Sequence, residues 1–379
     1  MATPEDRILL LLSIKEEGKR IDFRHISSKV IRDEKERIDE AGVKGILDDL
    51  ISRGLMTELE GKYAITRKGM KTIVDRLGSI GDELNLSYRM VLSAREYYPP
   101  VAEAILPFLK DRAVSVVKIF SDREDPIHKV KPLFVRYARY KPKPVPVQIK
   151  DRGDLLKRVD NHAIDFIPYI HGLDSNIPDW FVLDLDAGPA FEEYARGFNL
   201  VKMVTNAVVE TLEDYEISPN IKFSGSRGMQ IWARLDNSKL PSGDLFALYR
   251  RLAILIQGDV EDRIQQLPST TLEEFYRVVR EGKAVTTSTV AKKAERADQI
   301  LIDWSSMKPS GDVRAPFSLH HKTGLVSCPI ERKHLLEFTP REAEPGHVAK
   351  RAERLEEAFG LETSDPSRLM ERFRGKLST

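Results

Sequence analysis

Trp180-Phe181-Val182-Leu183-Asp184-Leu185-Asp186-Ala187-Gly188-Pro189 runs four apolar residues straight into two carboxylates, then into a glycine and a proline. An apolar run of this length, bounded by turn residues, predicts a buried strand. Side chains alternate between faces, so Asp184 and Asp186 share one, about 6.5–7 Å apart along the strand. Outward from this stretch, further strands are predicted at 113–120, 133–137, 222–223, 230–233 and 300–303. Helices are predicted at 101–109, 191–215 and 242–258. Their alternation over 87–345, without repeats, is that of a mixed domain of sheets and helices. Lys141-Pro142-Lys143-Pro144-Val145-Pro146 cannot join a central ladder and reads as an extended surface segment.

Residues 1–80 read as a separate small unit. Thr3 caps a first helix with Pro4 in its opening turn. A second helix is expected at 23–30. A third spans 43–52, where Val43, Ile46, Leu47, Leu50 and Ile51 recur at helical spacing. The segments 55–59 and 62–65 around Gly61 predict a hairpin, and 66–77 a closing helix. Residues 78–86 read as a connector. This order resembles a winged helix-turn-helix domain, which implies DNA contact through the third helix. That helix carries Asp48 and Asp49 against Lys44 and Arg53, so a protein-interaction role stays open. The tail, 346–379, reads as exposed amphipathic helices with Ala349, Ala352, Leu355 and Phe359 as apolar positions.

The chain has 379 residues, 41% of them hydrophobic, enough for a sizeable core and more than one domain. A formal charge of +1 excludes a global field for polyanions, so any nucleic-acid surface must be a local patch. The single cysteine, Cys328, excludes an internal disulfide and a cysteine-rich zinc site, and fits a reducing cytoplasm. No run nears the roughly 18 apolar residues that span a bilayer. The first residues lack the layout of a signal peptide. A soluble cytoplasmic protein without membrane partners is expected.

Three segments carry chemistry. Asp184 and Asp186 could share hard divalent cations, Mg²⁺ or Mn²⁺, though a strand ending in an acidic turn looks the same. Ser224-Gly225-Ser226-Arg227-Gly228 offers close backbone approach, two hydroxyls and a guanidinium to a phosphate, or makes an ordinary hairpin turn. Asp303 ends the apolar run Ile300-Leu301-Ile302. Arg314 to Leu325 then packs Arg314, Lys322, His320, His321, Ser318 and Thr323 into a dozen residues, a set suited to a triphosphate. Strand alternation would turn only one of the two histidines inward.

The order Asp-X-Asp, Ser-Gly-Ser-Arg-Gly, apolar-Asp, Arg-X-Pro-X-Ser-Leu-His-X-Lys-Thr-Gly resembles the archaeo-eukaryotic primase superfamily, the last stretch above all its archaeal catalytic subunits. Tyr97-Tyr98, 102–107, Asp111-Arg112, Pro178-Asp179 and Val326-Ser327-Cys328-Pro329 are similar to the polymerase domain of bacterial DNA ligase D. The resemblance covers about 90–335. It implies an α+β fold of primase-like mixed sheets with flanking helices over 87–345, preceded by the winged-helix unit. It also implies that Asp184, Asp186 and Asp303 hold two metal ions, Mg²⁺ or Mn²⁺. Ser224, Ser226, Arg227, Gln230, Arg314, Ser318, His320 and Lys322 would line the nucleotide site. The implied activity is nucleotidyl transfer from nucleoside triphosphates onto DNA or RNA primer ends, in repair or replication, with a DNA ligase or repair protein as partner.

Two residues depart from the pattern. Gln230 stands where the superfamily has histidine, and Ile167 where the ligase-associated polymerases have one. The zinc knuckle of replicative primases is also missing, which points to the ligase-associated or stand-alone branch. Gln230 supports an alternative, a catalytically weakened adaptor that binds nucleic acid or a repair partner without turnover.

Overall fold

The computed structural model describes residues 3–13, 15, 19–34, 37–76, 86–119, 132–189, 194–267, 284–288 and 299–376. It divides into two compact units. The first comprises Met1–Ala102, Val116–Val135 and Asp151–Asp165, and the second Glu103–Ser115, Arg136–Lys150 and Phe166–Thr379.

In the first unit, α1 (Pro4–Ser13), β1 (Ile21–Asp22), α2 (Phe23–Asp33) and α3 (Glu40–Ser52) precede the hairpin β2 (Met56–Leu59) and β3 (Lys62–Ile65), and α4 (Arg67–Asp75) closes the set. Each helix starts where a short polar side chain can accept a first-turn amide. Asp22 accepts from His25, Asp39 from Gly42 and Thr66 from Gly69. Glu60 and Gly61 both have positive φ, 51° and 71°, as a tight two-residue hairpin turn requires. Ile8, Leu9, Ile26, Val43, Leu47, Leu50 and Ile73 are fully buried between the helices. The sequence did not predict β1, which extends the hairpin into the sheet β1–β3–β2. Two residues are too few to show a period.

The predicted connector lies, from 78 to 85, outside the described residues. The helix expected at 101–109 is the end of α5 (Leu86–Leu109), which runs on through Pro99 and Pro100. Proline normally stops a helix. Here Tyr97, Tyr98, Val101, Ala102 and Ile105 are buried on both sides of the pair, and packing overrides local preference. The strand predicted at 113–120 is β4 (Val114–Lys118). The run at 133–137 divides into β5 (Leu133–Val135), which pairs with β4, and β6 (Tyr137–Arg139), which pairs with β7 (Val145–Pro146). Unpredicted α6 (Arg152–Asp160) and β8 (Ala163–Pro168) follow, and β8 joins β4 and β5 in a three-stranded sheet.

The second unit is built on β9 (Phe181–Ala187), α7 (Tyr194–Asp214), β10 (Asn220–Phe223), β11 (Met229–Leu235), α8 (Leu245–Gln265), β12 (Thr286–Ser288), β13 (Ile300–Asp303) and β14 (Pro329–Ile330). Their sheet runs β12–β13–β9–β11–β10–β14. β9 extends through Ala187, so both aspartates of the opening stretch lie within the strand instead of in a turn after it. The fold is a mixed α+β one.

The tail departs from the all-helical expectation. Between α9 (Pro345–Ala349), α10 (Ala352–Ala358) and α11 (Ser367–Arg372) lies β15 (Thr363–Ser364), parallel to the end of β11. Leu355, Phe359, Leu369 and Phe373 are buried, and Phe359 meets the rings of Phe108 and Trp232. Ala352, Leu355 and Phe359, expected as apolar positions of the tail, are thus part of the core of this unit. Among the described residues no helix is long and apolar enough to cross a membrane.

Candidate active site

Four strands set one row of side chains across the central sheet. The registers Asp303↔Asp184, Gln230↔Asp184 and Lys222↔Gln230 align β13, β9, β11 and β10. Directly opposed residues share a face, so two carboxylates, an amide and an ammonium stand side by side. Asp186, two residues along β9 and opposite Leu301, joins the same face. A Cβ on Gly228 would lie 2.5 Å from Asp186 Oδ1 and 2.5 Å from the Leu185 carbonyl oxygen. Only glycine lets the turn approach β9 this closely.

The row opens into a cleft of about 370 Å³. Asp184, Gln230 and Asp303 line it together with Arg136, Lys308 and Arg314. Ile167 is also in its wall. Asp303 Oδ1 accepts from the Ser305 amide at 2.6 Å. Asp312 accepts from Ser115 Oγ at 2.5 Å and lies 3.7 Å from Arg136.

Asp184 is the electrostatic centre. Burial, and then the charge of Asp186, pushes its carboxyl up to about 7, against a hydrogen bond from Gln230 and the charge of Lys222. Its Oδ1 is buried with no hydrogen-bond partner among the described residues. Asp186 is also raised, first by burial, with Arg227 opposing. Gln230 is held from behind, its Oε1 accepting from Trp232 Nε1 at 3.4 Å, which turns the amide nitrogen towards Asp184. Lys222 is fully buried, donates to Ser327 Oγ at 2.6 Å and lies 5.3 Å from the Trp232 ring centroid.

A carboxyl raised in the folded chain adds stability below its unfolded value, near 3.9, and that stability is lost as pH rises through about 7. Asp184→Asn removes the ionisation. In EDTA the variant is therefore expected to melt above wild type at about pH 8, with the gap narrowing as pH falls and closing below about pH 4. A gap of equal size at both pH values would show that charge is not its source.

The two loop segments singled out in the sequence meet. Ser224 Oγ accepts from the Gly228 amide at 3.2 Å and the Ser226 amide at 3.4 Å, and Arg314 Nη1 donates to the Ser224 carbonyl at 3.0 Å. Thr323 Oγ1 donates to the Gly225 carbonyl at 2.5 Å. Gly225 has φ +88°, and a Cβ there would sit 2.8 Å from His320 Cβ. Arg227 and Lys322 are exposed on these turns.

Two expectations change. His320 and His321 do not face opposite ways; their rings stack at 5.2 Å and 10°, both largely buried. The Thr323 and Gly324 amides both donate to the His320 carbonyl, so the chain turns there and strand alternation does not apply. Ser318 is fully buried and its hydroxyl accepts from the Phe166 amide at 2.8 Å, a scaffold contact away from the cleft wall. Arg136, Lys308 and Lys222 were not found from sequence. Lys222, in the buried run Ile221-Lys222-Phe223, carried a usable signal, since a lysine there demands a partner. Arg136 carried none.

The donor set suits a metal only in an open arrangement. Among the described residues no three Asp, Glu, His or Cys side chains converge on one ion. Mg²⁺ commonly takes one or two carboxylates and completes its shell with water and substrate phosphates, and the orphaned Asp184 Oδ1 is a fitting acceptor for such an ion.

Two ligase-like fragments, distant in sequence, also meet in the second unit. Arg112 Nη2 pairs with Asp179 Oδ2 at 2.7 Å, and its guanidinium lies 3.8 Å from the Trp180 ring centroid. No curated protein matches the chain. Of solved structures, the polymerase domain of Mycobacterium tuberculosis Ligase D in complex with DNA is similar at 20% identity, covering 69% of this chain and 91% of that one, with a TM-score of 0.49. The family model described as LigD, primase-polymerase domain matches residues 93–283, just over half of the 379. That match takes in Asp184, Asp186 and the turn through Gln230. The chain therefore belongs to the LigD primase-polymerase domain family, within the primase superfamily.

Proposed function

We propose that the protein is a divalent-metal-dependent nucleotidyltransferase that adds nucleotides to DNA ends or primed templates. The supporting observation is the row Asp303–Asp184–Gln230 at the floor of a cleft walled by Arg136, Lys308 and Arg314. Asp184, Asp186 and Asp303 would hold Mg²⁺ or Mn²⁺, which when bound supplies charge neutralisation at a transferring phosphoryl group. Arg314, Arg136 and Lys308 would bind and orient the triphosphate, and the exposed Arg227 and Lys322 would meet its outer oxygens or the template. Ser224 and Ser226 shape the turn, leaving the Ser224 O–H to donate. Lys222 balances the carboxylates from beneath. The domain reading accompanies this proposal: a winged helix over 1–80, a catalytic body over 87–345, and 346–379 as its packed edge. DNA, nucleoside triphosphates and a DNA ligase or repair protein are the proposed partners.

The test is extension of a primed template by the full chain with Mg²⁺ or Mn²⁺. Incorporation that disappears in EDTA and returns with metal supports the proposal; no incorporation with either metal removes it.

Gln230 favours a second reading, binding without turnover, because its neutral amide is committed to Asp184 and Trp232. Gln230→His tests it. A cationic donor makes a stronger hydrogen bond to phosphate, so about tenfold faster incorporation or tighter nucleotide binding is expected if this side chain reaches the triphosphate. An unchanged rate and affinity would leave Gln230 as support for Asp184 alone.

A further inference from the structure

The cations of the first unit fall into two groups. On α3, the helix expected to meet DNA, Lys44 Nζ lies 3.2 Å from Asp48 and 3.0 Å from the Tyr63 hydroxyl. Arg53, which caps that helix, lies 2.9 Å from Glu5 and 2.9 Å from Asp49. Both charges are neutralised in place, and Asp48 and Asp49 remain exposed. Such a face repels a phosphate backbone.

Elsewhere in the same unit a cavity of about 280 Å³ is lined, among the described residues, by Lys15, Lys19, Arg67 and Arg95 and by the carboxylate Asp160. Arg95 is fixed by backbone oxygens: Nη1 donates to Ser13 O at 2.5 Å and Nη2 to Asp160 O at 2.8 Å. Arg67 opens the nine-residue α4, so the positive end of that helix adds to the cavity's field. Leu12, Ile65 and Met70 form an apolar wall. The like charges are felt: burial, then Lys19 and Lys29, lower Lys15 from the usual lysine range. The volume, near the lower end for ligand pockets of about 300 Å³, exceeds what a bare anion fills.

We propose that this cavity is a docking site for a backbone phosphate of a nucleic acid strand, with the attached sugar lying against Leu12, Ile65 and Met70. The strand thus engages the N-terminal unit here and not through α3. Leu12 to Met70 precede the family match, which begins at residue 93, whereas Arg95 and Asp160 fall within it. The site does not depend on the catalytic proposal, and Asp184→Ala should retain it.

The experiment measures duplex oligonucleotide binding by the full chain, by fluorescence anisotropy, across a salt series. The pair Lys15→Ala/Arg67→Ala should weaken binding at least about tenfold and flatten the slope of log K against log salt by nearly two units, about 0.9 per lost contact. Lys44→Ala on α3 should change affinity less than about twofold. An unchanged slope in the cavity variant, or an equal loss in Lys44→Ala, would overturn the proposal. Deoxynucleoside monophosphate separates the sources. If wild type binds it as tightly as the oligonucleotide, and the cavity variant loses only that binding, the site serves free nucleotide and the proposal fails. Should the paired variant melt well below wild type, the exposed Lys19→Ala alone, with an expected slope change of about one unit, decides the matter.

Discussion

Asp184→Ala is expected to lower nucleotide incorporation by at least about a thousandfold, or about 4 kcal/mol of transition-state stabilisation, while leaving the fold intact. Asp184 lies between Asp303 and Gln230 and carries a buried acceptor with no partner among the described residues. The residues left behind, Asp186 and Asp303, sit on different strands with no carboxylate between them, so a cation there would lose its central oxygen ligand. The same substitution removes a carboxyl that burial already disfavours in its charged form. The metal-free variant should therefore melt no lower than wild type at neutral pH. Activity and stability are expected to move in opposite directions, which separates a site residue from a scaffold residue. Primer extension and thermal melting on one preparation measure both. Equal incorporation by the variant and wild type, under both metals, would remove the carboxylate row from the chemistry.

Gly228→Ala should cost about 1–3 kcal/mol of stability and about a hundredfold in activity. Gly228 has no positive φ, so the penalty is one of space. The new methyl would meet a backbone oxygen, Leu185 O at 2.5 Å, as well as Asp186 Oδ1 at 2.5 Å. A side-chain tip can swing aside, but a carbonyl within a paired strand cannot, so either the turn lifts from β9 or the strand shifts. Both displace Asp186 from the row. Loss of melting temperature with full activity would mean that incorporation does not need Asp186 where the turn holds it.

Much of the site could be read along the chain because it is written in local patterns. The apolar run before Asp184 specified a strand, its period put Asp186 on the same face, and Ile300-Leu301-Ile302-Asp303 came out as the strand predicted. The caps Asp22, Asp39 and Thr66 are local too, which explains why the helices of the first unit followed expectation. Errors arose where packing outweighed local preference, as in the helix through Pro99-Pro100 and the stacked histidines after Leu319.

By itself the sequence determined the strand and turn types, the glycines of the close approach and the three carboxylates, since each follows from backbone sterics or side-chain period within a few residues. Only the tertiary structure decided that Asp303, Asp184, Gln230 and Lys222 stand in one row, because strand register is set by pairing across long separations. It alone brought Arg136 and Lys308 to the cleft and placed a basic cavity where α3 offers none. Charges act through space, and no period along the chain records which of them end up as neighbours.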